Sequence, residues 1–205
     1  MAEVLIVYIS MFGNTQKLAQ SIAEGAASVA GTTVTLRTAE SATIDEVRQC
    51  DALILGSPVH MGMLDWRIKK FIDSSVYQLW LVDELVGKVA GVFATGGGYG
   101  NAGSGVELTQ IAMLGSLAEC GMILVPFPKS APGSEVTGSR WGPYARSGGL
   151  RMEPDGITDA MLEGGHQYGA SVARVAAALT GKELLPRGNH VPEGEILKAF
   201  QSVNG

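Results

Sequence analysis

The stretch Val4-Leu5-Ile6-Val7-Tyr8-Ile9, followed by Ser10-Met11-Phe12-Gly13-Asn14-Thr15, decides how the rest of the chain is read. An apolar, β-branched run ends in a small polar turn, and a helical pattern begins at once. Leu18, Ala19, Ile22, Ala23 and Ala26 recur at helical spacing, and Gly31 ends the pattern. Amides in such a turn and at a helix N-terminus have no intrahelical partners, and the helix dipole adds positive potential, so the place suits a phosphate. Ser10 and Thr15 offer hydroxyls, Asn14 an amide, and Gly13 permits a positive φ. The turn holds no Lys or Arg, so an anion there would be held by amides and hydroxyls. Taken alone, the stretch fits a plain capped strand-turn-helix equally well.

The same alternation recurs along the chain. Residues 33–38, 52–56, 89–95 and 122–126 read as further strands, and 42–50 (with Thr43 as cap), 64–75, 106–119 and 157–179 as helices. Strands alternating with helices five times predict an α/β fold. It is a doubly wound five-stranded parallel sheet in the order 2-1-3-4-5, with helices on both faces. Ligands of such sheets bind beyond the carboxyl ends of the strands, where the strand order switches. Three loops leave neighbouring carboxyl ends: 10–15, 57–63 and 95–105. Residues 127–155 form a long proline- and glycine-rich excursion, of the kind that serves as a functional lid or a partner contact or is disordered. The tail 181–205 is irregular, with one short helix expected over 195–203. The whole of 1–205 is expected to be a single domain.

Composition narrows the function classes. The 205 residues carry a net charge of −5, which argues against a general nucleic-acid binder and against docking on anionic membrane. No apolar stretch approaches the length of a membrane span. A strand pattern begins directly after Ala2-Glu3, so no secretory leader is expected. The two cysteines, Cys50 and Cys120, form neither a metal-ligand pattern nor a disulfide framework, so no metal is expected and a reducing cytoplasm is.

Residues Gly98-Tyr99-Gly100-Asn101-Ala102-Gly103 make a formal G-x-G-x-x-G, but the strand that follows ends Val125-Pro126-Phe127, with no acid to hold a ribose. That argues against a dinucleotide fingerprint. In the second loop, Pro58 keeps the backbone extended, and Val59, His60 and Met61 can present amides and apolar surface to a planar ring. His60 could act on a substrate or a ring nitrogen, but no orienting partner is visible in sequence, and its backbone alone could line the cleft. Trp80 is either a core aromatic or a pocket wall. Cys120 has no basic neighbour to activate it. His166 and His190 receive no role.

With these loops placed, the chain resembles the flavodoxin-like superfamily, and within it the WrbA-type multimeric flavodoxins, the type IV NAD(P)H:quinone oxidoreductases. The resemblance rests on the loop Ser10–Thr15, on Gly56-Ser57-Pro58-Val59-His60-Met61-Gly62-Met63, and on Leu79-Trp80 with Gly87-Lys88. Leu117-Ala118-Glu119-Cys120-Gly121-Met122 and Gly142-Pro143-Tyr144-Ala145 also match, and the likeness runs to about Thr180. It implies non-covalent FMN. The phosphate would lie on Ser10, Met11, Phe12, Gly13, Asn14 and Thr15, and the ring against Ser57, Pro58, Val59, His60, Met61 and Gly62. The ribityl chain and ring edge would lie by Thr95, Gly96, Gly97, Gly98, Tyr99 and Gly100. It further implies NADH or NADPH as donor of a hydride to the flavin, a quinone or other small molecule as two-electron acceptor, and a homo-oligomer (dimer or tetramer). Phe12 and Trp80 match positions that meet nicotinamide or quinone. Where the family has Arg, an aromatic and a His, this chain has His60, Met61 and Glu119; a carboxylate over the ring would lower the flavin's potential. A flavodoxin-type electron carrier without nicotinamide turnover is the alternative. The mild acidity and the lack of an aromatic in Val59–Met61 favour the enzyme.

Overall fold

The computed structural model describes residues 1–100, 102–188, 192, 194 and 195. Strand β1 (Ala2–Tyr8) leads through the polar turn into helix α1 (Asn14–Ala27), and β2 (Thr32–Thr38) into α2 (Ile44–Gln49). Helix α2 starts in a reciprocal capping box: the Thr43 side chain accepts from the Glu46 amide, and the Glu46 carboxylate accepts from the Thr43 amide. Then follow β3 (Ala52–His60), β4 (Met63–Leu64), α3 (Trp66–Phe71), a π-helical turn Ile72–Val76, and α4 (Tyr77–Trp80). The remaining elements are β5 (Val89–Gly96), α5 (Val106–Glu119), β6 (Ile123–Leu124), α6 (Ser134–Thr137), β7 (Tyr144–Arg146) and α7 (Asp159–Leu179).

The parallel sheet has the order β2-β1-β3-β5-β6, which is the expected switch-point topology, with β4 and β7 added at its margins. Alternation along β1 divides the core. Leu5, Val7 and Ile9 pack with Leu53, Leu55 and Val92 on the face covered by α2, α3 and α5. Val4, Ile6 and Tyr8 pack with Ile54 and Phe93 on the face covered by α1 and α7. On that second face α7 lies close against α1: a Cβ on Gly169 would stand 2.8 Å from the carbonyl carbon of Ile22.

Three sequence expectations are corrected. The third strand does not stop at Gly56; it runs on to His60, so much of the expected second loop is strand. The helix expected over 64–75 starts later, at Trp66, and continues through the π-turn to Trp80. The fifth strand is cut to Ile123–Leu124, and the edge of the sheet is completed by β7, which pairs with Ala94, Thr95 and Gly96. The excursion is thus an insertion between two halves of one edge strand. Buried Tyr168 braces that break, its hydroxyl accepting from the Val92 amide at 3.2 Å and donating to the Val125 carbonyl at 3.0 Å. The helix expected over 195–203 lies almost entirely outside the described residues. Among the described residues no helix is long and apolar enough to cross a membrane.

Candidate functional site

The three loops do meet at the carboxyl end of the sheet. Gly13 is the N-cap of α1, in the left-handed region at φ 83°, and no side chain caps the helix. The first turn of α1 holds no acid, so nothing there competes with an incoming anion. The Ser10 hydroxyl is buried without a partner. A buried unpaired hydroxyl costs about 1–3 kcal/mol, so its presence at a capless helix N-terminus marks a place for an acceptor from outside the chain. Thr15, also buried, lies with its Oγ1 2.8 Å from Thr95 Oγ1, which ties the first loop to the third. Together these groups fit a phosphate monoester such as that of FMN. Asn14 is the first residue of α1, and Met11 and Phe12 stand in solvent, Phe12 at 84% exposure.

The second loop is a hairpin. Val59 pairs with Leu64 and His60 with Met63, around a two-residue turn at Met61 (φ 49°) and Gly62 (φ 79°). Two successive positive φ values are the signature of a type I′ turn. Methionine in the first of these positions is strained, and Met61 is fully exposed. The hairpin tip is seated on the start of α5. A Cβ on Gly105 would stand 2.6 Å from the carbonyl carbon of Gly62, so the two backbones touch. Further down, the Val59 side chain lies beside Gly96. Ser57 is buried within β3, its hydroxyl donating to the Pro58 carbonyl and accepting from the Asp65 amide, each at 2.8 Å.

His60 does have a partner, which the sequence did not reveal. Its Nδ1 lies 2.9 Å from Oδ2 of Asp65, a carboxylate only 1% exposed. The Arg67 guanidinium grips the same carboxylate with two bonds of 2.9 and 2.8 Å and holds its carboxyl below the usual carboxylate range. Reading the helix from residue 64 hides Asp65 inside it; Asp immediately before Trp66, a preferred N-cap residue, was the available signal.

The glycine loop is bound to the excursion. The Tyr144 hydroxyl donates to the Gly96 carbonyl at 3.2 Å, the Ser147 amide to Gly96 at 3.0 Å, and the Gly100 amide to Leu150 at 2.7 Å. Arg146 donates to the carbonyls of Gly100, Gly148 and Gly149. The excursion then passes Gly156 beside the Asn14 side chain, so it walls the cleft from the third loop to the first. Arg146 is not legible as part of the site in the sequence; the Gly142–Ala145 segment just before it is the available signal. Gly97 and Gly98 lie inside this loop, Tyr99 projects into solvent, and Asn101 lies outside the described residues.

Two expected residues are not brought here within the chain. Helix α5 has 14 residues, about 21 Å at 1.5 Å per residue, and runs back toward the amino ends of the strands. It carries Glu119 and Cys120 into a cleft of about 200 Å³ shared with Trp80, Tyr77 and Val76. Trp80 stacks on Tyr77, with ring centroids 5.4 Å apart. Glu119 therefore does not lie over a ring bound between the three loops of its own chain. The Cys120 thiol is pushed up to about 11 by burial and by Glu119, and burial pushes Cys50 up to about 12, so neither is an activated nucleophile. His166 belongs to α7, away from the cleft, and His190 lies outside the described residues.

Residues 5–97 match the model of the Flavodoxin domain. The chain is 31% identical over 207 residues to an NAD(P)H dehydrogenase (quinone) of Geobacter sulfurreducens, covering 87% of this chain and 99% of that protein. It is 38% identical over 124 residues to a flavodoxin of Aquifex aeolicus, a match that spans 60% of this chain and 64% of that one. Its fold superposes on a flavodoxin, WrbA-like protein from Agrobacterium tumefaciens with a TM-score of 0.67 at 25% identity, covering 87% of this chain and 99% of that one.

Proposed function

We propose that this chain, which belongs to the WrbA-type NAD(P)H dehydrogenase (quinone) family of flavodoxin-fold proteins, is an FMN-dependent NAD(P)H:quinone oxidoreductase. The observation that carries the proposal is the unpartnered, buried Ser10 hydroxyl beside the capless N-terminus of α1. Ser10, Gly13, Asn14 and Thr15 hold the phosphate through amides and hydroxyls. Pro58, Val59, His60 and Met61 on the hairpin, and Thr95 to Gly100 on the third loop, take the ring and the ribityl chain. Bound FMN supplies the redox chemistry, receiving hydride from NADH or NADPH and passing two electrons to a quinone. The protein positions both substrates and keeps the wall between Tyr144 and Gly156 closed. Phe12, at the rim of the first loop, contacts substrate.

Trp80 meets substrate only if a second copy brings it to a neighbour's cleft. A homo-oligomer of two or four copies in the cytoplasm is part of the proposal, and it would let a neighbouring copy supply Trp80. Sedimentation of the FMN-loaded protein tests this, and a monomer at micromolar concentration removes Trp80 from the site.

The main test is a spectrum after reconstitution with FMN, then NADH or NADPH, then benzoquinone. Flavin absorbance that is bleached by nicotinamide and restored by benzoquinone is the expected result; no flavin retained refutes the proposal. The match to the Aquifex flavodoxin supports a second reading, an electron carrier, and flavin bleached by dithionite but not by nicotinamide would select it.

A further inference from the structure

His60 ends β3 at the hairpin, next to Val59, whose side chain lies beside Gly96 of the third loop. Its ring is held from one side only. Nδ1 meets Asp65 Oδ2 at 2.9 Å, and Nε2 has no partner among the described residues, while the side chain is one-third exposed. Asp65 is fixed in turn. Its amide donates to Ser57 Oγ, its Oδ1 accepts from the Arg67 amide and Nε, each at 2.9 Å, and its Oδ2 accepts from Arg67 Nη2 at 2.8 Å. A carboxylate facing three Arg67 N–H donors, two of them on the guanidinium, and His60 Nδ1 stays ionised and accepts only. The hydrogen on Nδ1 is therefore kept on Nδ1 whether the ring is neutral or cationic. Any proton that His60 gains or loses passes through Nε2, the nitrogen that Asp65 does not hold.

Quinone reduction needs such a group. A quinone becomes a hydroquinone by taking up two electrons and two protons. The nicotinamide donor supplies two electrons and one hydrogen, so one further proton enters in each turnover. We propose that His60 is the donor of that proton and that Asp65 is the positioning residue that fixes its ring; this rests on the quinone-reductase function proposed above. The Nε2–H bond of the imidazolium breaks as an O–H bond forms on the acceptor. The ring is left neutral with Nδ1–H still on Asp65, and water returns the proton to Nε2.

The test compares two acceptors in rapid mixing with the FMN-loaded, NADH-reduced protein. Benzoquinone takes up protons on reduction, whereas ferricyanide takes one electron and no proton. With both rates measured on FMN-saturated protein, His60→Gln is expected to slow benzoquinone reduction by about 10²-fold more than it slows ferricyanide reduction, the lower end of what a positioned acid contributes. Asp65→Asn is expected to slow benzoquinone reduction in the same selective way. Nitrogen NMR of the imidazole, without FMN, is expected to place the neutral ring's hydrogen on Nδ1 in the wild type and to show a mixture of tautomers in Asp65→Asn. Equal losses with both acceptors, no loss with benzoquinone, or a wild-type ring with its hydrogen on Nε2 each overturns this proposal alone. Absence of NADH-dependent reduction of either acceptor by the wild type overturns the quinone-reductase function, and this proposal with it.

Discussion

The contact between Gly105 and Gly62 offers a direct measure of how far the hairpin must stay in place. Gly105 sits at φ 88°, and a Cβ there would stand 2.6 Å from the Gly62 carbonyl carbon. Ordinary van der Waals contact begins at 3.4 Å, so in Gly105→Ala the hairpin tip retreats by at least about 0.8 Å. Left-handed backbone on a residue with a Cβ adds about 1–2 kcal/mol. Lost packing between the hairpin and α5 brings the expected destabilisation to about 2–3 kcal/mol. The displaced tip carries His60 and Met61, so FMN affinity falls by about tenfold or more; shifts of this size at a binding surface have large effects. The control is Gly103→Ala in the same loop, where a Cβ meets only the Val106 side chain at 3.5 Å. Urea melts of both FMN-free variants and titration of FMN by quenching of its fluorescence measure the two effects. If Gly105→Ala melts within about 0.5 kcal/mol of Gly103→Ala and binds FMN equally well, the packing of hairpin on loop does not position the site.

Replacing both Ser10 by Ala and Thr15 by Val removes two hydroxyls from the phosphate cradle. At about 1.5–3 kcal/mol per bond to a charged group, FMN binding weakens by at least about 10²-fold, and unchanged affinity would place the phosphate elsewhere. Tyr168→Phe strands the buried Val92 amide and Val125 carbonyl, so it should cost about 2–4 kcal/mol in urea melts, while a loss under 0.5 kcal/mol would mean the two strand halves need no brace. Asp65 titrates below its ordinary range when folded, so its contribution is fully present above the unfolded carboxyl value of 3.8 and is lost as pH falls through the lower folded value. Asp65→Asn should accordingly cost about 3 kcal/mol at pH 7, and the gap from wild type should close as pH drops below that value; a gap independent of pH would show that the Arg67 pair is not its source.

What could be read before the structure followed local physics. Apolar runs, period-two alternation and capping residues predict the strands and helices, and the α/β alternation predicts the sheet order that is observed, because short connections and right-handed crossovers leave few other ways to bury those runs. The Ser10–Thr15 turn is legible for the same reason: strand, turn and helix start are contiguous, so the cradle is written in one stretch. The alignment of motifs along the chain does not show that Trp80 and Glu119 share a cleft with each other and stand apart from the three loops of their own chain, because order in sequence does not say at which end of a helix a residue emerges. A helix of fourteen residues carries its last side chain across the whole sheet.

His60 is the clearest division between the two kinds of information. The sequence by itself determined that a histidine stands in the second loop, at the carboxyl end of a central strand. Only the tertiary structure decided that it has a partner. The type I′ turn at Met61-Gly62 folds β4 back along β3, and Asp65, five residues on, caps the next helix with its carboxylate buried against Arg67. That pairing depends on a reversal of the chain and on the desolvation of a charge, and neither is a property of any local run of residues. The phosphate cradle could be found by reading along the chain, whereas the reactive end of the cleft required the fold.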